Sequence, residues 1–235
     1  MSKRDDIIDG KNYGRKYGLI YTEVLGWIDL GHAQGNDIRE LLRKIDAAES
    51  TTSEKSTYDI HYSQSMVDPT RTMKMGKFVT WRIKRGRSYE ERKSIALGMM
   101  MSVASKFEAL QSSFFVSMVT DSGFSGEDLV SDLLGFYRVV TNLDLFPMLK
   151  PVSKESAIRR WNYYGEIGKW KNETFVPLLF PDPAERVNPQ PVKGTLPNVM
   201  QTVKPWSDFT SGIVSIATRE GSYMDRFKGG SLPFA

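Results

Sequence analysis

The chain contains no cysteine and only two histidines in its 235 residues. Disulfides, thiolate metal centres and cysteine nucleophiles are therefore excluded. A structural zinc site has too few of its usual ligands here. No Walker or dinucleotide-type glycine motif occurs, so no phosphate cradle of those kinds is expected. The longest apolar stretch, from Ile95 to Val119, is broken by Ser102, Ser105, Lys106, Glu108 and Gln111. It is not a membrane span. The opening Met-Ser-Lys-Arg-Asp-Asp carries no apolar signal segment. The expectation is synthesis in the cytoplasm without a signal peptide, with any export through a specialised secretion system. Internal repeats and low-complexity tracts are also lacking.

The charge excess is small, 32 Lys and Arg against 28 Asp and Glu. One acid-free basic run stands out, holding Lys74, Lys77, Arg82, Lys84, Arg85 and Arg87. A solvated strand face accounts for it more cheaply than nucleic-acid binding, which ranks lowest among the functional readings. With 40% hydrophobic and 26% charged residues the chain can bury a core.

The patterning predicts an α+β fold, mainly helical, with a long central helix, a small antiparallel sheet and an extended proline-rich C-terminal region. Leu19–Tyr21 and Trp27–Ile28 read as short buried strands about a turn. Ile38, Leu41, Leu42 and Ile45 recur at helical spacing behind Asn36, a fitting N-cap. Tyr58, Ile60 and Tyr62 alternate, as do Val79, Trp81 and Ile83, which predicts a hairpin with a long connection from Ser65 to Met75. Ser88 and Glu91 form a capping box for a helix reaching about Val119. Its buried seam is Ala96, Met100, Val103, Phe107, Leu110 and Phe114. A further helix is expected after a Ser125 cap, and another from about Lys154 to Gly165 capped by Ser153. Seven of the eleven prolines lie between Pro177 and Pro205, which excludes regular helix there. The predicted organisation is a globular, hairpin-bearing domain over 1–180. A proline-rich extended segment over 181–235 packs on it, with one short helix or strand after Ser207.

Three places can carry chemistry. In Gly26-Trp27-Ile28-Asp29-Leu30-Gly31-His32 a strand ends at an aspartate, and a histidine follows in the loop before a helix. A carboxylate near an imidazole can orient it and raise its basicity. Equally, Asp29 can bond the amides of the turn while His32 sits on the surface. In Ser125-Gly126-Glu127-Asp128-Leu129-Val130-Ser131-Asp132, Asp128 and Asp132 stand one turn apart on one helix face. Acids in a first turn complement the helix dipole, which explains Glu127 and Asp128 better than Asp132. The same oxygen-rich group leaves a divalent cation open as a ligand, although no motif implies a cofactor. Glu108 follows a seam residue and has small neighbours. It is either a half-buried general acid or a carboxylate emerging at a helix edge.

Two weaker groups complete the inventory. Asp59, His61 and Ser63 share a strand face but stand too far apart for a triad, so pairing across to Arg82 and Lys84 is preferred. Trp161, Tyr163, Tyr164, Trp170 and Phe175 could stack on sugars, though packing is the commoner use of such residues.

The Gly26–His32 stretch and the Gly123–Gly135 stretch together resemble an uncharacterised bacterial domain-of-unknown-function family. Its members look like having a Gly-aromatic-aliphatic-Asp-x-x-His element, a long helix bearing a glutamate, and a Phe-Ser-x-Glu-Asp-Leu helix start. The order holds here across about residues 17–141. Two positions depart: Phe107 precedes Glu108 where a histidine is expected, and Asp132 stands where asparagine is usual. The resemblance implies that Asp29, His32, Glu108, Glu127 and Asp128 gather at one site, and it implies no reaction.

The resulting expectation is a hydrolase with a His/carboxylate site, acting on a polysaccharide such as peptidoglycan as an antibacterial effector. Its partners would include a secretion machine or an immunity protein. The alternative is a non-enzymatic binding or structural module of a phage or secretion apparatus.

Overall fold

The computed structural model describes residues 2–67, 73–115, 127–172 and 174–226. The fold is α+β, with helices accompanying two separate antiparallel-rich sheets. The chain divides into two compact units, 1–38 with 112–202 and 39–111 with 203–235. The proline-rich region is shared between them, because residues up to 202 belong to the first unit and the rest to the second.

The first unit is built on a tight hairpin. β1 (Leu19–Thr22) and β2 (Gly26–Asp29) pair antiparallel, with Tyr21 opposite Trp27. Thr22 closes the turn, its hydroxyl donating to Gly26 O at 3.2 Å and accepting from Leu25 N at 3.1 Å. The expected pair of short buried strands is thus present. Gly26 has φ +76°, and a Cβ there would meet Leu178 O at 2.2 Å. Only glycine allows the next strand so close. That strand, designated β5 (Leu178–Leu179), runs parallel to β2, and β6 (Val192–Lys193) pairs outside it. One face of the hairpin buries Leu19, Tyr21 and Trp27 with Ile7, Ala157, Trp161, Ile167 and Phe180.

Three helices accompany this sheet: α3 (Asp128–Thr141), α4 (Phe146–Leu149) and α5 (Lys154–Tyr164). The predicted Ser153 cap of α5 forms, its hydroxyl accepting from Ser156 N at 3.3 Å, and Gly165 ends the helix with φ +82°. The expected Ser125 cap and the turn before it lie outside the described residues. Helix α3 starts directly after Glu127 and turns Leu129, Leu133, Phe136 and Tyr137 inward, as the sequence pattern predicts.

The second unit carries a three-stranded sheet of β3 (Thr57–Val67), β4 (Met73–Lys84) and β7 (Val214–Arg226). Two expectations need correction. Ser65–Val67 and Met73–Met75 continue the strands, so the hairpin connection is much shorter than the sequence suggested. Residues 214–226 form a 13-residue third strand rather than a short element. The helix α1 (Asn36–Ser50) leads into this unit, and α2 (Tyr89–Phe115) is 27 residues long. Its capping box forms in both directions, Glu91 N to Ser88 Oγ at 3.2 Å and Ser88 N to Glu91 Oε2 at 2.8 Å. Ala96, Met100 and Val103 are buried as expected. The remaining seam side chains, Phe107, Leu110 and Phe114, lie outside the described residues.

Candidate functional site

The hairpin and α3 converge at the carboxyl end of β2. Ser131 joins them. Its buried hydroxyl accepts the Asp29 N–H at 3.0 Å and donates to Glu127 O at 2.7 Å, so strand end and helix start are held by one side chain. Asp29 then turns the chain, its Oδ1 accepting from Gly31 N at 2.6 Å and His32 N at 3.4 Å. The following 3-10 turn, His32–Gln34, ends at Gly35 in the left-handed region with φ +63°.

The turn lies against α3 backbone to backbone. A Cβ on Gly35 would meet Gly135 O at 2.4 Å, and one on Gly135 would meet His32 O at 2.9 Å and Gly35 N at 3.0 Å. Arg138 closes the far side by donating to Ala33 O, and its guanidinium lies 4.9 Å from the Phe146 ring centroid. The two glycines therefore set how near His32 comes to the acidic helix face. Gly135→Ala should push the turn outward, costing about 1–3 kcal/mol as overpacking does. Loss of the His32–Asp132 contact in a crystal structure of this variant would verify the displacement; an unmoved His32 would show that the glycines do not set it.

The approach brings His32 Nδ1 to 2.9 Å from Asp132 Oδ1. The imidazole keeps 48% of its side-chain exposure while Asp132 keeps 16%. Burial opposes a charged imidazole, but Asp132, then Asp128 and Asp29, outweigh it and hold His32 well above its ordinary range. Asp128 responds in the opposite sense to its neighbourhood. Burial comes first, then the like charges of Glu127, Asp132 and Asp29, with His32 opposing; its carboxyl is pushed up to about 8. The arrangement thus favours the protonated form of both His32 and Asp128.

Asp132→Asn should lower the His32 titration midpoint, because it removes the close opposite charge. The imidazole proton signals report this directly, and His61→Ala assigns them because the chain has only two histidines. An unchanged midpoint would place the source of the shift elsewhere.

Comparison with family models, curated proteins and solved structures finds no match. The chemistry of the group must be read from its own geometry.

Of the expected residues, Asp29, His32 and Asp128 gather, with Glu127 buried beside them at 1% exposure. Asp29 plays the part of turn former, bonding the amides of the loop, while Asp132 holds the imidazole. The sequence points instead to Asp29, the acid nearer in the chain, as the orienting group. The signal for Asp132 was its place one turn beyond Asp128, where no helix cap explains it. Glu108 belongs to the second unit and its side chain lies outside the described residues. Among the described residues, no group of three or more His, Asp or Glu side chains is placed to hold a metal ion.

The other candidates resolve into structure. Asp59 pairs with Arg82 across β3 and β4 at 2.8 and 2.9 Å, and His61 faces Thr80 Oγ1 at 3.2 Å. In the basic run, Arg85 binds the carbonyls of Lys55 and Ala48, and Arg87 pairs with Glu91. Trp161 packs edge-on against Trp27 at 5.9 Å, while Tyr164 and Trp170 pack on Phe180 at 5.1 and 5.7 Å. These aromatics build the core rather than a platform. Among the described residues, no helix is long and apolar enough to cross a membrane.

Proposed function

We propose that the chain is a hydrolase of glycosidic bonds, with Asp128 as general acid and Asp132 as the base that His32 positions. The observation that carries this reading is the 2.9 Å His32–Asp132 pair, one helical turn from Asp128 on the same face of α3. Glycoside hydrolysis needs two carboxyl groups of opposite protonation flanking one bond. Asp128 gives its proton to the leaving oxygen as the C–O bond breaks. Asp132 takes a proton from the water whose oxygen bonds to the anomeric carbon. His32 holds Asp132 in place before attack through the 2.9 Å contact, and exchange with solvent resets both groups.

A wall glycan of the peptidoglycan type is the proposed substrate, consistent with the net positive charge of +4. In this reading the protein is an antibacterial effector delivered by a secretion machine and opposed by an immunity protein. Its kinship with the uncharacterised family belongs to the same proposal, which assigns Asp29, His32, Glu127 and Asp128 to one site.

The test is release of reducing ends from purified wall sacculi by the isolated protein, beside His32→Ala. Turnover that falls at least tenfold in the variant, with the fold retained by circular dichroism, is expected. Equal activity in both proteins would remove the reading. No release by either would favour the non-enzymatic binding module, and stable partner capture would then identify it.

A further inference from the structure

The segment Arg15–Gly18 runs beside the His32 turn and is tied to it twice. Leu30 N donates to Gly18 O at 2.9 Å, and Gln34 Nε2 donates to Arg15 O at 3.5 Å. Between these ties lies Tyr17. Its Cδ1 and Cε1 are 3.5 and 3.8 Å from where a Cβ of Gly31 would stand, and Asp29 Oδ1 is 3.0 Å from the same point. The phenol ring thus adjoins the loop that carries Asp29 and His32. Tyr17 nevertheless remains 56% exposed.

Among the described residues the other strongly exposed aromatics are Tyr89, which opens α2, and Tyr163 on α5. Tyr163 is already engaged edge-on with Tyr164 at 4.8 Å. Tyr17 instead meets a cation, with the Lys16 ammonium 5.2 Å from its ring centroid, and Arg15 is exposed next to them. An exposed ring bordered by exposed cations departs from the packing that the other aromatics of this unit show. It also opposes in charge the acidic group it borders.

We infer that Arg15, Lys16 and Tyr17 form a binding subsite for an acidic saccharide next to the His32 turn. The inference rests on the hydrolase reading for the neighbouring chemistry. The C–H face of a pyranose covers the phenol ring, as apolar sugar faces do on aromatics. A carboxylate carried by the sugar draws off the Lys16 ammonium that lies over the ring, 5.2 Å from its centroid. The cations offset the repulsion that Asp29 and Asp132 exert on an anionic chain, which would otherwise keep such a substrate away.

The probes are oligomers of alternating N-acetylglucosamine and N-acetylmuramic acid, and chitin oligomers of equal length as their neutral counterparts. Binding is measured by titration calorimetry with the Asp128→Asn chain, alone and combined with Tyr17→Ala, Tyr17→Trp or Lys16→Ala. Tyr17→Ala should weaken both oligomers about tenfold or more, and Tyr17→Trp should retain them. Lys16→Ala should weaken only the acidic oligomer, by an amount that shrinks as salt is raised. Equal affinity in the parent and Tyr17→Ala proteins, or no binding of either oligomer to the parent, overturns the subsite. Turnover by the wild-type chain separates the two readings. Tyr17-dependent binding without turnover keeps the subsite and removes the hydrolase; turnover with a KM indifferent to Tyr17→Ala does the reverse.

Discussion

Asp128→Asn should reduce glycan turnover by about 10²–10⁴-fold, the share a single general acid supplies, and should leave the protein folded. Asparagine keeps the shape of a protonated carboxyl but has no acidic proton to give. The fold should gain from the change at alkaline pH. Burial and three like-charged neighbours push the Asp128 carboxyl up to about 8, far above the usual aspartate range near 3.9. Its contribution is fully present below pH about 4, and it is lost as pH rises through 8. His32 adds to the same trend. Its folded value is raised, so its contribution is present below about 6.5 and is lost as the imidazolium gives up its proton at higher pH.

The wild-type protein should therefore lose stability from about pH 4 up to about pH 8, and Asp128→Asn should lose less, the gap reaching on the order of a few kcal/mol. Urea unfolding at several pH values measures the gap. Parallel curves for the two proteins would mean that Asp128 is ionised throughout, and the general-acid role would fall with that result. Activity should share the same upper limit, since the acid is spent once Asp128 ionises. A pH profile still rising above 9 would contradict it.

How much of this was legible in the sequence depends on whether the signal was local. The β1–β2 hairpin, the Ser88–Glu91 box and the Ser153 cap are short-range patterns, and all three form. Asp29 and His32 were legible because a strand-end loop announces itself in a few residues. The His32–Asp132 pair joins positions a hundred residues apart, and nothing in either segment names the other. What brings them together is the pair of glycines, Gly35 and Gly135, whose missing side chains leave room for two backbones to touch. In the sequence one glycine reads as a loop residue and the other as a blemish in a helix. Strand β7 was hidden for a related reason. Its pairing with β4 is long-range, and its polar residues give no strict alternation.

The largest stability effect is expected at Asp182, far from the proposed chemistry. Its carboxylate is 3% exposed and accepts from Ser156 Oγ at 2.7 Å, Arg159 Nη2 at 2.7 Å and Ala184 N at 3.0 Å. Arg160, at 1% exposure, reaches the same carboxylate at 3.3 Å, Phe180 O at 2.7 Å and Glu23 at 2.6 Å. Its guanidinium also stacks 4.3 Å from the Tyr21 ring centroid. This network ties α5 to β1 and to the chain that follows β5. Asp182→Ala leaves the buried Arg160 charge without its enclosed counter-charge, since Glu23 is 46% exposed. The cost should be about 3–5 kcal/mol, as for other buried pairs broken on one side. Burial raises the Asp182 carboxyl, but the bonds from Arg159, Ala184 and Ser156, with the charge of Arg160, outweigh it and hold it well below its usual range. A lowered folded value contributes stability above about pH 4 that disappears as the solution is acidified further. Wild-type stability should thus fall on the acid side through Asp182 and on the alkaline side through Asp128 and His32. Asp182→Ala should flatten only the acid flank. Amide exchange in β1 and α5 measures the loss where it occurs, and a cost below about 1 kcal/mol would mean the network is solvated and not buried.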